Sequence, residues 1–143
     1  MSMVNDDKVD KAKEKESGYF LKGKLFRKGQ IKYKNGNTYQ GRLKGSLRHG
    51  YGKMSYETPQ YKNGISEIGD YFGEWNRDKR NGKGTMLSNG TKFYGIWKND
   101  QKYEGEFVFL DNSKYIGRFK DGKFHGQGKR IFNSGKTVEG KFD

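Results

Sequence analysis

Along much of this chain, large and small residues alternate with a period of two around a glycine. In Tyr71-Phe72-Gly73-Glu74-Trp75, an extended backbone sends Tyr71, Gly73 and Trp75 to one face and Phe72 and Glu74 to the other. The pattern returns as Tyr39-Gln40-Gly41-Arg42-Leu43, Phe93-Tyr94-Gly95-Ile96-Trp97, Tyr115-Ile116-Gly117-Arg118-Phe119 and Val138-Glu139-Gly140-Lys141-Phe142, with a weak first copy in Leu21-Lys22-Gly23-Lys24-Leu25. A second block follows the stronger copies: His49-Gly50-Tyr51-Gly52, Asn81-Gly82-Lys83-Gly84 and His125-Gly126-Gln127-Gly128. After Phe93 it has decayed to Tyr103-Glu104-Gly105-Glu106. Each unit therefore reads as a β-hairpin. Stretches such as Asn76-Arg77-Asp78-Lys79-Arg80 and Lys120-Asp121-Gly122-Lys123-Phe124 form its turn, and Asn35-Gly36, Asn89-Gly90 or Ser134-Gly135 turns the chain into the next unit. Glycines repeated on one face mark places where something large lies against the backbone, here the Tyr and Trp rings of the same or the next unit. By the same alternation Gly82 and Gly84 are expected on one face.

An isolated hairpin is unstable in water, so the units must pair edge to edge and share their ring face. The expected fold is all-β: an elongated, twisted antiparallel sheet of consecutive hairpins, single-layered or gutter-like. Units start near 21, 39, 71, 93, 115 and 138. The unit from Tyr39 is longer than the others by an insertion at about 57–67, which holds the only proline, Pro59, and reads as a longer loop or an extended hairpin. Because it is unique, it is a better candidate for a specific contact than any repeated residue. Residues 1–17 contain no aromatic and read as a mixed-charge N-terminal tail or short frayed helix. Residues 18–143 form the repeat domain.

Composition sharpens this. Of 143 residues only 30% are hydrophobic, yet 10 Tyr, 10 Phe and 2 Trp are present. The aliphatic poverty resembles disorder, but regularly placed rings argue against it. There is no cysteine, which excludes disulfides, Cys-ligated zinc and a thiol nucleophile. No apolar run exceeds Phe107–Leu110, so neither a transmembrane helix nor a signal-peptide core is expected, and neither end fits a lipidation motif. The chain is expected in the cytoplasm. Its net charge is +13, and residues 18–143 hold 26 Lys+Arg against 12 Asp+Glu, which favours acidic partners.

The combination Tyr-x-Gly-x-Trp, turn, His-Gly-x-Gly and a Gly-bearing turn resembles the MORN repeat (membrane occupation and recognition nexus) over about residues 20–143. The core positions are Tyr39, Gly41, Tyr71, Gly73, Trp75, Phe93, Gly95, Trp97, Tyr115, Gly117 and Phe119. The resemblance implies a non-enzymatic scaffold or adaptor, of the kind found in ciliary and flagellar axonemes, cortical cytoskeleton or membrane junctions. It implies protein partners, acidic or cytoskeletal.

Candidate chemistry beyond this is sparse. His49 and His125 occupy one repeat position and read as rings bonded to a neighbouring turn, not as a catalytic or metal-binding pair. Gly117–Lys123 and Gly18–Lys24 mimic a P-loop but end in Phe124 and Leu25, where Ser or Thr is required, and neither precedes a helix. No catalytic, cofactor or metal site is expected. Basic residues flanking the glycines, Arg42, Lys44, Lys53, Lys83, Arg118, Lys120 and Lys129, point away from the rings along with Lys22, Lys24 and Lys141. As a ladder they are candidates for partner binding, although Glu74, Glu104, Glu106 and Glu139 interrupt the sign. The second reading is a peripheral module binding acidic phospholipids, phosphoinositides included, at about 1 kcal/mol per basic residue near an anionic membrane. Nucleic acid is disfavoured, because the rings are committed to the core. Homodimerisation through the sheet ends is a further expectation.

Overall fold

The computed structural model describes residues 8–10, 17–21, 24–62 and 65–143, with side chains at 27–57 and 68–143. Its strands are β1 (Lys8–Asp10), β2 (Ser17–Leu21), β3 (Lys24–Tyr33), β4 (Thr38–Lys44), β5 (Leu47–Lys62), β6 (Ile65–Asn76), β7 (Lys79–Ser88), β8 (Thr91–Lys98), β9 (Gln101–Val108), β10 (Lys114–Lys120), β11 (Lys123–Ile131) and β12 (Thr137–Phe142). They form one open sheet in the order β1-β3-β4 and onward to β12, with β2 also against β3. Described pairs are antiparallel, and no described residue is helical. The fold is the expected all-β array.

A ladder of glycines sets the register. From Gly29 in β3 to Gly140 in β12, each strand places a glycine opposite its neighbours' glycines. The rings lie over this ladder. Tyr71 reaches along its strand to donate its hydroxyl to the Glu74 carbonyl at 2.8 Å, and Tyr39 and Tyr115 do the same to Arg42 (2.7 Å) and Arg118 (2.8 Å). Each ring thereby covers a glycine of the paired strand: a Cβ at Gly84 would lie 2.5–2.6 Å from Cε1 and Cζ of Tyr71. Trp75 and Trp97 donate their indole N–H groups to the Gly52 and Gly84 carbonyls, each at 3.2 Å. The rings then interlock edge to face from hairpin to hairpin: Tyr39–Trp75, Trp75–Tyr71, Tyr71–Trp97, Trp97–Phe93, Phe93–Phe119 and Phe119–Tyr115, with centroids 5.1–5.6 Å apart. Such pairs contribute about 0.5–1.5 kcal/mol each beyond their buried area. The core of this single sheet is therefore the zipper itself, with Tyr39, Tyr71, Phe93, Trp97 and Tyr115 almost wholly buried.

Hairpins change course at bulges. In the β6–β7 hairpin Gly73 pairs with Gly84 and Trp75 with Arg80, so one residue faces three. Gly82, at φ +106, sits in this bulge. Its missing side chain would meet Glu74 on the outer face, whereas that of Gly84 would meet Tyr71 on the ring face. The two glycines thus lie on opposite faces, contrary to simple alternation, because the bulge breaks the period of two. The expected weak copy at Leu21–Leu25 is also corrected. Leu21 faces Lys24 and Phe20 faces Leu25 across β2–β3, so this stretch does not run as one strand. The glycine that joins the ladder there is Gly29.

The insertion is an extended hairpin. Lys62 pairs with Ile65 and Gln60 with Glu67, and a register shift between Tyr56 and Gln60 accommodates Pro59. Of the N-terminal segment, Lys8–Asp10 pairs with β3. Residues 1–7 and 11–16 lie outside the described residues, so the reading of a tail there does too.

Candidate functional site

Alternation leaves the outer face to the side chains that flank each glycine. One row across the strands reads Gln40, Lys53, Phe72, Thr85, Tyr94, Glu106, Ile116, Lys129 and Glu139. The row beyond the glycines holds Lys28, Arg42, Tyr51, Glu74, Lys83, Ile96, Glu104, Arg118, Gln127 and Lys141. The seven candidate basic residues do share this face, but they do not meet as one ladder. Lys53 and Lys129 lie six strands apart, about 29 Å at roughly 4.8 Å per strand. Lys53 lies over the Phe72 ring at 5.4 Å, and the backbone N–H of Lys83 is bound by the Glu74 carboxylate at 2.8 Å. Arg42 lies along Gly50, and Lys44 closes β4 opposite Leu47. Lys22, and the side chain of Lys24, fall outside the described residues. Exposed apolar side chains share this face, among them Tyr51 (61% exposed), Tyr94 (60%), Phe72 and Ile116.

Arg118 and Lys120 are brought together with further cations, at a place where the repeat fails. Three hairpins have one residue facing three across the bulge, between Gly41 and Leu43, Gly73 and Trp75, and Gly117 and Phe119. The β8–β9 hairpin pairs Ile96 with Glu104 and Trp97 with Lys102, leaving Tyr103 alone as the extra residue. A large ring thus stands where the other hairpins carry a glycine. Lys98 Nζ lies 3.9 Å and the Arg118 guanidinium 5.0 Å from its centroid. Beside it opens a groove of about 690 Å³, lined also by Lys102, Lys120, His125, Ile116 and Gln127. Glu104 is its one lining carboxylate, 3.2 Å from Arg118 Nε, and both side chains are about half exposed.

The histidines part ways. His49 Nδ1 accepts the Arg77 N–H at 3.2 Å, and Asn81 Oδ1, at the same repeat position, accepts the Asn99 N–H at 3.0 Å. This is the expected bond from a ring to a neighbouring turn. His125 lines the groove, six strands away. Among the described residues no group of three or more His, Cys, Asp or Glu could hold a metal ion. The Gly117–Lys123 stretch runs through β10 into a turn, with no helix to present an anion.

Sequence reasoning missed a latch between hairpins. Arg80, 3% exposed, lies over Trp97 (4.5 Å) and donates from Nε to Asp100 Oδ1 (2.8 Å) and from its terminal nitrogen to the Asp100 carbonyl (3.0 Å). Arg48, Trp75 and Asp78 repeat it, at 4.7, 2.9 and 3.0 Å. The signal was arginine recurring just before the second block, and aspartate as the second residue of the following turn. The latch lapses at Lys102, where Gly122 stands in place of the aspartate, and at Phe124, which replaces the arginine itself.

A self-contained ring core, an open sheet of tandem hairpins and an outward polar face define a solenoid-like repeat protein. The model of the MORN repeat matches at three positions, residues 39–58, 71–92 and 115–137. It is also similar to Alsin from Homo sapiens and from Rattus norvegicus, 27% identical in each case over 126 residues, covering 81% of this chain. The chain spans 7% of the length of these relatives.

Proposed function

We propose that this chain is a non-enzymatic scaffold that joins protein partners in a ciliary or flagellar axoneme or another cytoskeletal assembly. One observation carries the reading. The repeated rings and glycines are consumed by the internal zipper, while the outer face pairs basic side chains with exposed Tyr51, Phe72, Tyr94 and Ile116. Such a surface suits docking, with apolar anchors rimmed by polar residues. A tagged copy expressed in ciliated cells tests it: retention on detergent-extracted axonemes or cytoskeleton is expected, and a diffuse signal fully removed by detergent refutes it.

The second reading, a peripheral module on acidic phospholipid, is favoured by Arg42, Lys44, Arg118 and Lys120 all lying on the outer face. Salt-sensitive sedimentation with anionic vesicles, lost on changing these four to Glu, is its expected outcome. No binding at physiological salt removes it.

A further inference from the structure

We propose that the groove beside Tyr103 is a binding site for an acidic segment of a protein partner, with a glutamate or aspartate held between Lys98, Arg118 and Lys120 and an adjacent apolar residue seated on Ile116. This deepens the scaffold reading and rests on it for the partner's class, though not for the site's chemistry.

The argument starts from the defect in the repeat. An ideal array presents the same outer chemistry at each step. Here the shortened bulge puts Tyr103 where its sister hairpins have Gly50, Gly82 and Gly126, and the groove opens beside that ring. Arg42 and Glu74 lie alongside Gly50 and Gly82 in the sister hairpins. Arg118 instead leans towards the Tyr103 ring, and only its Cβ lies near Gly126.

Charge selects the occupant. The groove gathers Lys98, Arg118 and Lys120 with His125, against Glu104 alone; Lys102 adds to its wall but turns its ammonium to the ring face, over Phe93 and Trp97. Arg118 is already oriented by two groups, the Tyr103 ring and the Glu104 carboxylate. An incoming carboxylate therefore meets a guanidinium held in place, and less freedom is lost on binding.

Shape selects a peptide over a membrane. The groove is a concavity on a twisted sheet, and a flat lipid surface would span it without filling it. A side chain can enter, and Ile116, 41% exposed, supplies the apolar contact beside the charge.

The test uses the full chain and a fluorescein-labelled peptide of repeated Glu-Glu-Leu, read by anisotropy. Saturable, salt-sensitive binding is expected, with a Gln-for-Glu peptide at least about tenfold weaker, the scale of one charge-assisted contact. Arg118→Glu with Lys120→Glu, both exposed and outside the zipper, should weaken binding at least as much, and Tyr103→Ala should weaken it too. Lys53→Glu with Lys83→Glu, which makes the same change in net charge elsewhere on the face, should leave it within about threefold. Circular dichroism checks that each variant is folded. Equal binding of the Gln peptide, or equal loss in the Lys53/Lys83 variant, overturns the proposal. So does binding to phosphatidylserine vesicles through Arg118 and Lys120 without binding to the peptide. A groove that binds peptide while the tagged chain stays diffuse in cells sinks the cytoskeletal assignment alone.

Discussion

Replacing Gly84 by alanine tests the zipper through the sign of a stability change. The Gly84 backbone does not occupy the left-handed region, so alanine can adopt it. On backbone grounds alone the substitution stabilises by about 0.4–1 kcal/mol, because it restricts the unfolded chain. The structure reverses the sign. The new Cβ would lie 2.5–2.6 Å from the Tyr71 ring carbons, about an ångström inside van der Waals contact. The ring cannot slide away cheaply, since its hydroxyl is bound to the Glu74 carbonyl and its edges are held by Trp75 at 5.1 Å and Trp97 at 5.2 Å. Overpacking costs about 1–3 kcal/mol, and breaking the hydroxyl bond adds about 1 kcal/mol. Set against the backbone gain, the expected net loss is about 1–3.5 kcal/mol, a fall in Tm of roughly 3–12 °C for a chain of this size. Urea and thermal unfolding, followed by tryptophan fluorescence and circular dichroism, would measure it. Thr85→Ala, on the outer face of the same strand, is the comparator, with a change within about 1 kcal/mol. A Gly84→Ala protein as stable as the parent, or more so, would show that no ring lies over this backbone.

Other parts of the structure give further expected outcomes. Asp100→Ala leaves the buried Arg80 charge without its carboxylate and should cost about 3–5 kcal/mol in urea unfolding; Asp78→Ala should cost less, since the arginine it would strand, Arg48, is 18% exposed against 3% for Arg80. An equal or reversed order would refute the latch. Trp97→Phe keeps the zipper contact but loses the bond to the Gly84 carbonyl, at about 1–2 kcal/mol, whereas Trp97→Ala should cost about 3–5 kcal/mol. Burial raises the phenols of Tyr39 and Tyr71 well above their usual value. The folded chain then keeps protons that the unfolded chain releases above about pH 10, so this stability is complete below that pH and is lost as pH rises through the folded values, by about 1.4 kcal/mol per unit for each ring. Phenolate absorbance from these two rings should accordingly grow together with loss of sheet in an alkaline titration. Its complete appearance in an intact sheet would contradict their burial.

The zipper was legible because the same five residues recur, and only a strand pairs Tyr71, Gly73 and Trp75 on one face. The glycine ladder was half legible. Gly41, Gly73, Gly95 and Gly117 mark it within single strands, but that their partners are Gly52, Gly84, Gly105 and Gly128 depends on pairing. Gly82 was misplaced because a bulge adds residues that a strict period of two cannot represent. The Arg80–Asp100 latch joins residues 20 apart in sequence, which local spacing cannot rank; only comparison with Arg48 and Asp78 would have exposed it. The basic residues were legible as sharing one face, with Glu74, Glu104, Glu106 and Glu139 interrupting the sign, but the distances between them depend on strand order, which sets Lys53 and Lys129 six strands apart.

This difference between position in the sequence and physical neighbourhood also explains where specificity can reside. Whatever is the same in each hairpin is needed by the zipper, as Tyr39, Tyr71 and Tyr115 show by making the same bond along their own strands. A partner that reads only such features would find an equivalent place one hairpin further on and would gain no fixed position. A defined position requires a break in the symmetry, made where the zipper can bear it. The β8–β9 bulge meets both conditions. The glycine ladder passes through it unbroken, from Gly95 to Gly105 and on to Gly117, so the core is undisturbed. On the opposite face the same missing residue replaces a glycine with Tyr103 and draws Lys98 and Arg118 around it. Restoring the bulge by replacing Tyr103 with a Tyr-Gly pair should therefore leave the unfolding midpoint near that of the parent and abolish the groove's preference for the acidic peptide. A large loss of stability would mean that the short bulge serves the core instead.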